Sequence, residues 1–164
     1  MVLLDRILAE IEQRLVVPLL AALLAFVTVG VFIQVVLRYV FSMAFLWGEE
    51  LSLFAFIWTV FLGAFVGVRR HIHLGFDMVG EYLTGRGAAA QKLIVDLSIL
   101  AVSVLMLVEG WTFAQLSVAR LSPAIGISLF IPTFVIPLSG GLMTLAAFSD
   151  VVKDLRLVFG SRST

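Results

Sequence analysis

The stretch Leu51–Val68 holds 18 consecutive uncharged residues. As a helix rising about 1.5 Å per residue it would extend ~27 Å, close to the ~30 Å hydrocarbon core of a bilayer. Three more stretches of comparable length carry few or no charges. Together they predict an all-α integral membrane protein with four transmembrane helices, at about 15–37, 51–68, 93–117 and 132–150.

Composition supports lipid as the surrounding solvent. The 164 residues are 62% hydrophobic and 13% charged, whereas soluble domains average about 45–50% apolar and about 25% charged. The formal net charge is zero, which gives no basis for a nucleic-acid partner. Cysteine is absent, which excludes disulfides, thiolate metal sites and a cysteine nucleophile.

We interpret the chain as a single membrane domain, residues 1–164, with two short segments that do not span. Residues 1–14 place apolar side chains at Leu4, Ile7, Leu8 and Ile11, with the charges opposite. This pattern is typical of an amphipathic helix that lies on the membrane surface and contacts lipids. A second interfacial segment is expected at about 72–84.

The distribution of Lys and Arg predicts the orientation. Nine lie in the N-terminal segment, the loop after the second span and the C-terminal tail, against two, Arg38 and Arg120, in the other loops. Basic residues concentrate on the cytoplasmic side. Both termini are therefore expected in the cytoplasm, and Glu49 and Glu50 are expected on the outer side.

Glu49 and Glu50 open the second span, directly after Trp47 and a short loop beyond Arg38. Acids favour a helix N-terminus and an Arg near a helix end can extend to the interface, which alone could explain them. Adjacent side chains on a helix point about 100° apart, however. We predict that one acid pairs with Arg38 within the subunit while the other faces a partner.

Gly63 and Gly67 form a small-xxx-small face on the second span, a pattern that permits close approach of helix backbones in lipid. It predicts close helix contact, and packing within the bundle explains it as well as packing on another protein.

The remaining polar residues indicate no cofactor or metal. We predict that Asp96, one turn from Lys92, is neutralised by it as an i, i+4 pair, and that Glu109 reaches the outer interface. Arg69, Arg70 and His71 mark the inner boundary. His71 and His73 lie two positions apart and so point away from each other on a helix, which makes them poor joint ligands.

The order of these motifs resembles a known family, the small membrane (DctQ-type) subunit of tripartite ATP-independent periplasmic (TRAP) transporters. The stretch QVVLRYVFSMAFLWGEELSLFAFIWTVFLGAFVGVRRHIHL carries the resemblance, and SPAIGISLFIPTFVIPLSGGLM extends it to roughly residues 15 to 150. The positions that match the family pattern are Arg38, Tyr39, Phe41, Trp47, Glu49, Glu50, Gly63, His71 and Ile72.

The resemblance implies a scaffold subunit, not an enzyme, in the inner membrane of a bacterium. Its expected partners are a large membrane subunit of about twelve spans, which holds the substrate and sodium sites, and a periplasmic protein that delivers an organic acid. Two other interpretations stay open: an autonomous four-helix carrier or channel, and the membrane anchor of an oxidoreductase.

Overall fold

The computed structural model describes residues 2–70 and 86–160, and the side chains of all of these except residues 2, 4, 86–90 and 156–160. His71 and the segment predicted at 72–84 lie outside the described residues. The helices are α1 (Val2–Ile11), a π-helical turn (Glu12–Val16), α2 (Val17–Val40), α3 (Leu46–Arg69), α4 (Arg86–Leu116), α5 (Phe130–Thr133) and α6 (Val135–Gly160).

Within these residues, four helical stretches are long and apolar enough to span a membrane: Asp5–Val40, Leu46–Arg69, Gln91–Leu116 and Phe130–Leu155. The prediction of an all-α membrane protein with four spans is confirmed. Within an apolar stretch of 18 residues in each span, the share of buried residues is 6% in the first, 28% in the second, 17% in the third and 44% in the fourth. The fourth span is therefore the centre of the bundle, and the first lies at its edge.

α4 and α6 pack most closely, because glycines bring their backbones together. A Cβ on Gly140 would lie 2.7 Å from the backbone nitrogen of Leu107, and one on Gly110 would lie 3.1 Å from that of Pro137. Neither position has room for a side chain. Close contact through small residues is a principal source of helix association in lipid.

α2 packs against α3 through a polar link. The amide nitrogen of Gln34 donates to the carbonyl of Gly48 at 2.9 Å and to the hydroxyl of Ser52 at 2.8 Å. Gly30 faces the same hydroxyl, since a Cβ there would lie 2.9 Å from it. No residue of α2 is buried, so most of this helix is left for surroundings outside the described chain.

The N-terminal segment was expected to form a surface helix whose charged residues all lie opposite its apolar stripe. In the structure one charged residue lies on the apolar face instead. α1 continues into α2 through the π-helical turn, with helical backbone angles at Ile11 and Val17. Leu8, Glu12 and Val16 are buried, so an acid lies on the inward face. The position of α1 relative to the membrane surface stays a prediction.

The last span begins in two steps. α5 ends at Thr133 and α6 begins at Val135. Pro137 has no N–H to donate to the carbonyl of Thr133, which removes one bond of the helical ladder at this point. The break between α5 and α6 therefore lies within one turn of Pro137.

Candidate functional site

The two acids at the start of α3 have different partners at the end of the bundle that holds the 41–45 and 117–129 loops, here called the Glu50 end. Glu49 lies 4.0 Å from Arg38, with side chains 48% and 72% exposed. Such an exposed pair contributes about 0–1 kcal/mol. Glu50 Oε2 accepts hydrogen bonds from the backbone N–H groups of Ala124 and Ile125, each at 3.1 Å.

The loop that Glu50 binds has its own internal order. The N–H of Ser122 donates to the carbonyl of Ile127 at 2.8 Å, and that of Gly126 donates back to Ser122 at 2.9 Å. Gly126 has φ of 76°, a left-handed conformation that glycine adopts without strain. The hydroxyl of Ser128 donates to the carbonyl of Val118 at 2.8 Å. Glu50 thus joins α3 to a folded loop of the same chain.

This geometry revises our interpretation of the acid pair. Glu49 is the acid beside Arg38, whereas the second acid, which we expected to face a partner, binds its own chain through Oε2. Sequence reasoning gave no sign of this contact because Ala124 and Ile125 take part through their backbone alone.

Exposed aromatic side chains surround the acids. Trp47 is 53% exposed and its ring centroid lies 4.1 Å from that of Phe45. Tyr39 and Phe41 are also exposed, at 80% and 61%. Aromatic side chains at such a position are typical of the boundary between lipid and water.

The glycine face of α3 is open. A Cβ on Gly63 or on Gly67 would meet nothing within 4 Å, so the close contact predicted there is absent from the described part of this chain. The contacts of that kind are at Gly110 and Gly140 instead. If Gly63 and Gly67 pack closely on another helix, that helix lies outside the described part of this chain.

At the opposite end of the bundle, here called the Glu12 end, the residues predicted as the inner boundary take part in an ion network. The guanidinium Nε atoms of Arg69 and Arg70 lie 3.5 and 2.8 Å from the carboxylate of Glu12. Glu12 is 6% exposed. Glu12 is not among the residues predicted from the sequence, although its spacing of four from both Leu8 and Val16 places it on their face of the helix.

A second group of ions joins α1 and α6 at the Glu12 end. Asp5 accepts a hydrogen bond from Ser149 at 2.8 Å and lies 3.1 Å from the ammonium group of Lys153. The same ammonium group donates to Asp150 at 3.0 Å. α1 is thereby held against the bundle by its charged residues as well as by Leu8.

The prediction that Lys92 pairs with Asp96 is wrong, because Lys92 instead lies 2.5 Å from Asp154 on α6. Asp154 was not predicted to pair with Lys92 because it lies beyond the last predicted span. Glu109 is exposed. Within residues 2–70 and 86–160, no three His, Asp or Glu side chains form a cluster suited to a metal ion. The polar side chains described above join helices to one another.

Comparison with known proteins places this chain in a family. The family model for the DctQ component of tripartite ATP-independent periplasmic transporters matches residues 27–157. The sialic acid TRAP transporter small permease protein SiaQ of Vibrio cholerae is 25% identical over 162 residues, covering 99% of this chain and 91% of its own length.

Two further relatives match over part of their length. The C4-dicarboxylate TRAP transporter small permease protein DctQ of Vibrio cholerae is 34% identical over 95 residues, which are 58% of this chain and 41% of that protein. The isethionate TRAP transporter permease protein DctMQ of Oleidesulfovibrio alaskensis is 28% identical over 147 residues, 85% of this chain and 23% of the relative.

The matched segment includes the acids at the Glu50 end and all of α3 and α4, and it runs past Asp154. The four-span helical fold agrees with a permease subunit. The chain is a multi-pass membrane protein that belongs to the DctQ family of TRAP transporter small permease subunits.

Proposed function

We propose that this chain is the scaffold subunit of a sodium-coupled importer of an organic acid, which a periplasmic binding protein delivers. In this proposal it lies in the bacterial inner membrane with both termini in the cytoplasm, and it enlarges the fixed part of a large membrane subunit. It has no catalytic role. The substrates named for three relatives, sialic acid, C4-dicarboxylate and isethionate, are all organic anions.

The observation that carries the proposal is an open apolar stripe on α3. Leu53, Phe56 and Val60 are 54%, 53% and 48% exposed. They continue at helical spacing into Gly63 and Gly67, where an added Cβ would meet nothing within 4 Å. We call these five residues the open face of α3. Two glycines on an otherwise bulky stripe suit a neighbouring helix better than lipid tails, because they let a second backbone approach closely.

We assign the large membrane subunit to this face. The matching segment of the DctMQ relative is 23% of a much longer permease chain. A covalent fusion of this kind keeps the small-subunit part beside the rest of the permease at a fixed ratio. α2 supports the same proposal, because this helix makes up most of the most apolar of the four described spans and has no buried residue.

Replacing Gly67 with Leu tests the assignment. The purified chain should keep its thermal stability, because the new side chain meets open space. Co-purification with the large subunit should fall at least about tenfold, a loss of ~1.4 kcal/mol. Ala101→Leu, at an exposed position of α4, is the matched control. Full association of the Gly67→Leu chain would show that this face contacts lipid.

Transport reconstituted in liposomes separates the three candidate functions. With an inward sodium gradient as the driving force, the large subunit and the binding protein should import an organic anion only when this chain is present. Import by this chain alone would establish an autonomous carrier and refute the scaffold role. A Soret absorbance band in the purified chain would support the oxidoreductase anchor.

A further inference from the structure

An acidic side chain lies on the outer surface of α4, within a membrane span. Glu109 belongs to the spanning stretch Gln91–Leu116, and its side chain is exposed. No hydrogen bond or ion pair joins it to any residue in the described part of the chain. Its neighbours one turn away on the same face, Leu105 and Phe113, are exposed and apolar. The surface around Glu109 therefore suits lipid or an apolar helix, whereas a charge does not.

The depth of Glu109 makes a lone charge there costly. Gln91–Leu116 holds 26 residues, which is about 39 Å of helix against ~30 Å of hydrocarbon. Glu109 lies seven positions before Leu116. With the span centred in the bilayer, its Cα lies about 6 Å inside the edge of the hydrocarbon. Acids within a span almost always face protein and pair with an opposite charge. Since Glu109 faces outward, we expect that opposite charge on another molecule.

Two tryptophans show which side of the molecule Glu109 faces. α6 packs against both α3 and α4, and the short helix α5 contacts both of them as well. The indole nitrogen of Trp58 on α3 donates to the carbonyl of Ile131 in α5 at 3.2 Å. The ring of Trp111 on α4 packs edge-on against Phe134, directly after α5, with the centroids 6.4 Å apart. Both tryptophans therefore point to the side where α5 lies.

Glu109 and the open face of α3 point away from that side. Val60 and Gly67 are two and nine positions from Trp58, so they lie about 160–180° around α3 from it. Glu109 is two positions from Trp111, which places it about 160° around α4 from that residue. The open face of α3 and Glu109 are thus on the same side of the molecule, and one partner can contact both.

We propose that Glu109 is a docking point for a cationic side chain, Lys or Arg, on a membrane helix of the large subunit. This inference rests on the proposed function, which assigns the large subunit to the open face of α3. The cation neutralises Glu109 within the hydrocarbon, while Leu105 and Phe113 keep water from the pair. Charge complementarity fixes the register of an interface, so this pair determines how far one subunit is shifted along the other.

Co-purification with the large subunit tests the docking point. Glu109→Gln should lower association at least about tenfold, because the partner's cation is then left without its counter-charge. The thermal midpoint of the purified Glu109→Gln chain should not fall, since no described contact is lost. Glu10→Gln is the control, because it removes an exposed acid on α1, and association should stay as in the wild type.

The Gly67→Leu variant separates this inference from the proposed function. If Gly67→Leu loses association and Glu109→Gln keeps it, the large subunit covers α3 but Glu109 meets water at the outer interface. The docking point is then refuted and the proposed function stands. If both variants keep full association, the proposed function fails as well.

Photocrosslinking in the assembled transporter identifies what lies beside Glu109 while leaving its carboxyl group in place. A photoreactive phenylalanine analogue at position 113, one turn away on the same face, should crosslink to the large subunit at a span that carries a Lys or Arg. The same analogue at position 111, on the opposite side of α4, should not crosslink to that subunit. Crosslinks from position 113 to lipid alone, or to the binding protein, would overturn the proposal.

Discussion

At the residue scale, Glu49 and Glu50 are neighbours in sequence with unequal roles. Replacing Glu50 with Ala should release the N–H group of Ala124, bound at 3.1 Å, and leave that of Ile125 with only its longer bond to the Ser122 hydroxyl, at 3.3 Å. An unsatisfied buried donor costs about 1–3 kcal/mol, and the partly exposed loop should show the lower part of that range. Amide hydrogen exchange at Ala124 and Ile125 should become faster by roughly tenfold, the equivalent of ~1.4 kcal/mol.

Glu49→Ala is the matched control for this prediction. It removes the same charge one position away but breaks only the exposed pair with Arg38, so exchange in the 117–129 loop should stay as in the wild type. Equal acceleration in both variants would show that charge near the helix N-terminus, and not the contact made by Glu50, protects the loop.

At the scale of helices, two adjacent glycines of α6 allow a close comparison. Gly140→Ala places a methyl group 2.7 Å from the backbone nitrogen of Leu107, whereas at Gly141 the nearest atom is a Leu107 methyl carbon at 3.6 Å. Overpacking against a backbone typically costs about 1–3 kcal/mol. Gly140→Ala should lower the thermal midpoint of the purified chain, and Gly141→Ala should leave it unchanged or raise it. Similar midpoints for the two variants would show that α4 can shift to accept the methyl group.

The same helices show how far sequence reasoning extends. The four spans were predictable because long uncharged runs produce a strong signal that depends on no partner. The packing faces were not, since a lipid-facing stripe and a protein-facing stripe are equally apolar. Gly63 and Gly67 carry the recognised spacing, yet an added Cβ at either would meet nothing within 4 Å in the described part of the chain. Gly110 and Gly140, which do make close contacts, lie on different helices and form no motif. The pairing of Lys92 with Asp154 rather than with Asp96 depends likewise on tertiary contact.

At the scale of the whole molecule, the positive-inside prediction can be tested with single thiols, because the chain has no cysteine of its own. Gln13→Cys and Ala124→Cys are both exposed and lie at opposite ends of the bundle. In intact cells a membrane-impermeant thiol reagent should label Ala124→Cys and leave Gln13→Cys unlabelled. Both should react after the cells are broken, which controls for access. The reverse pattern would invert the topology and place the Glu50 end in the cytoplasm.

The π-helical turn at Glu12–Val16 sets the phase between two faces of one continuous helix. Each residue rotates an α-helix by about 100°, and a π turn holds one residue more than an α turn does. Shortening the turn by one residue would therefore rotate α2 by about 100° relative to α1. With Glu12 held by Arg69 and Arg70, Gln34 would then point away from Ser52. The five residues of the π-helical turn thus determine whether one continuous helix can contact α3 at both ends, through Glu12 at one end and Gln34 at the other.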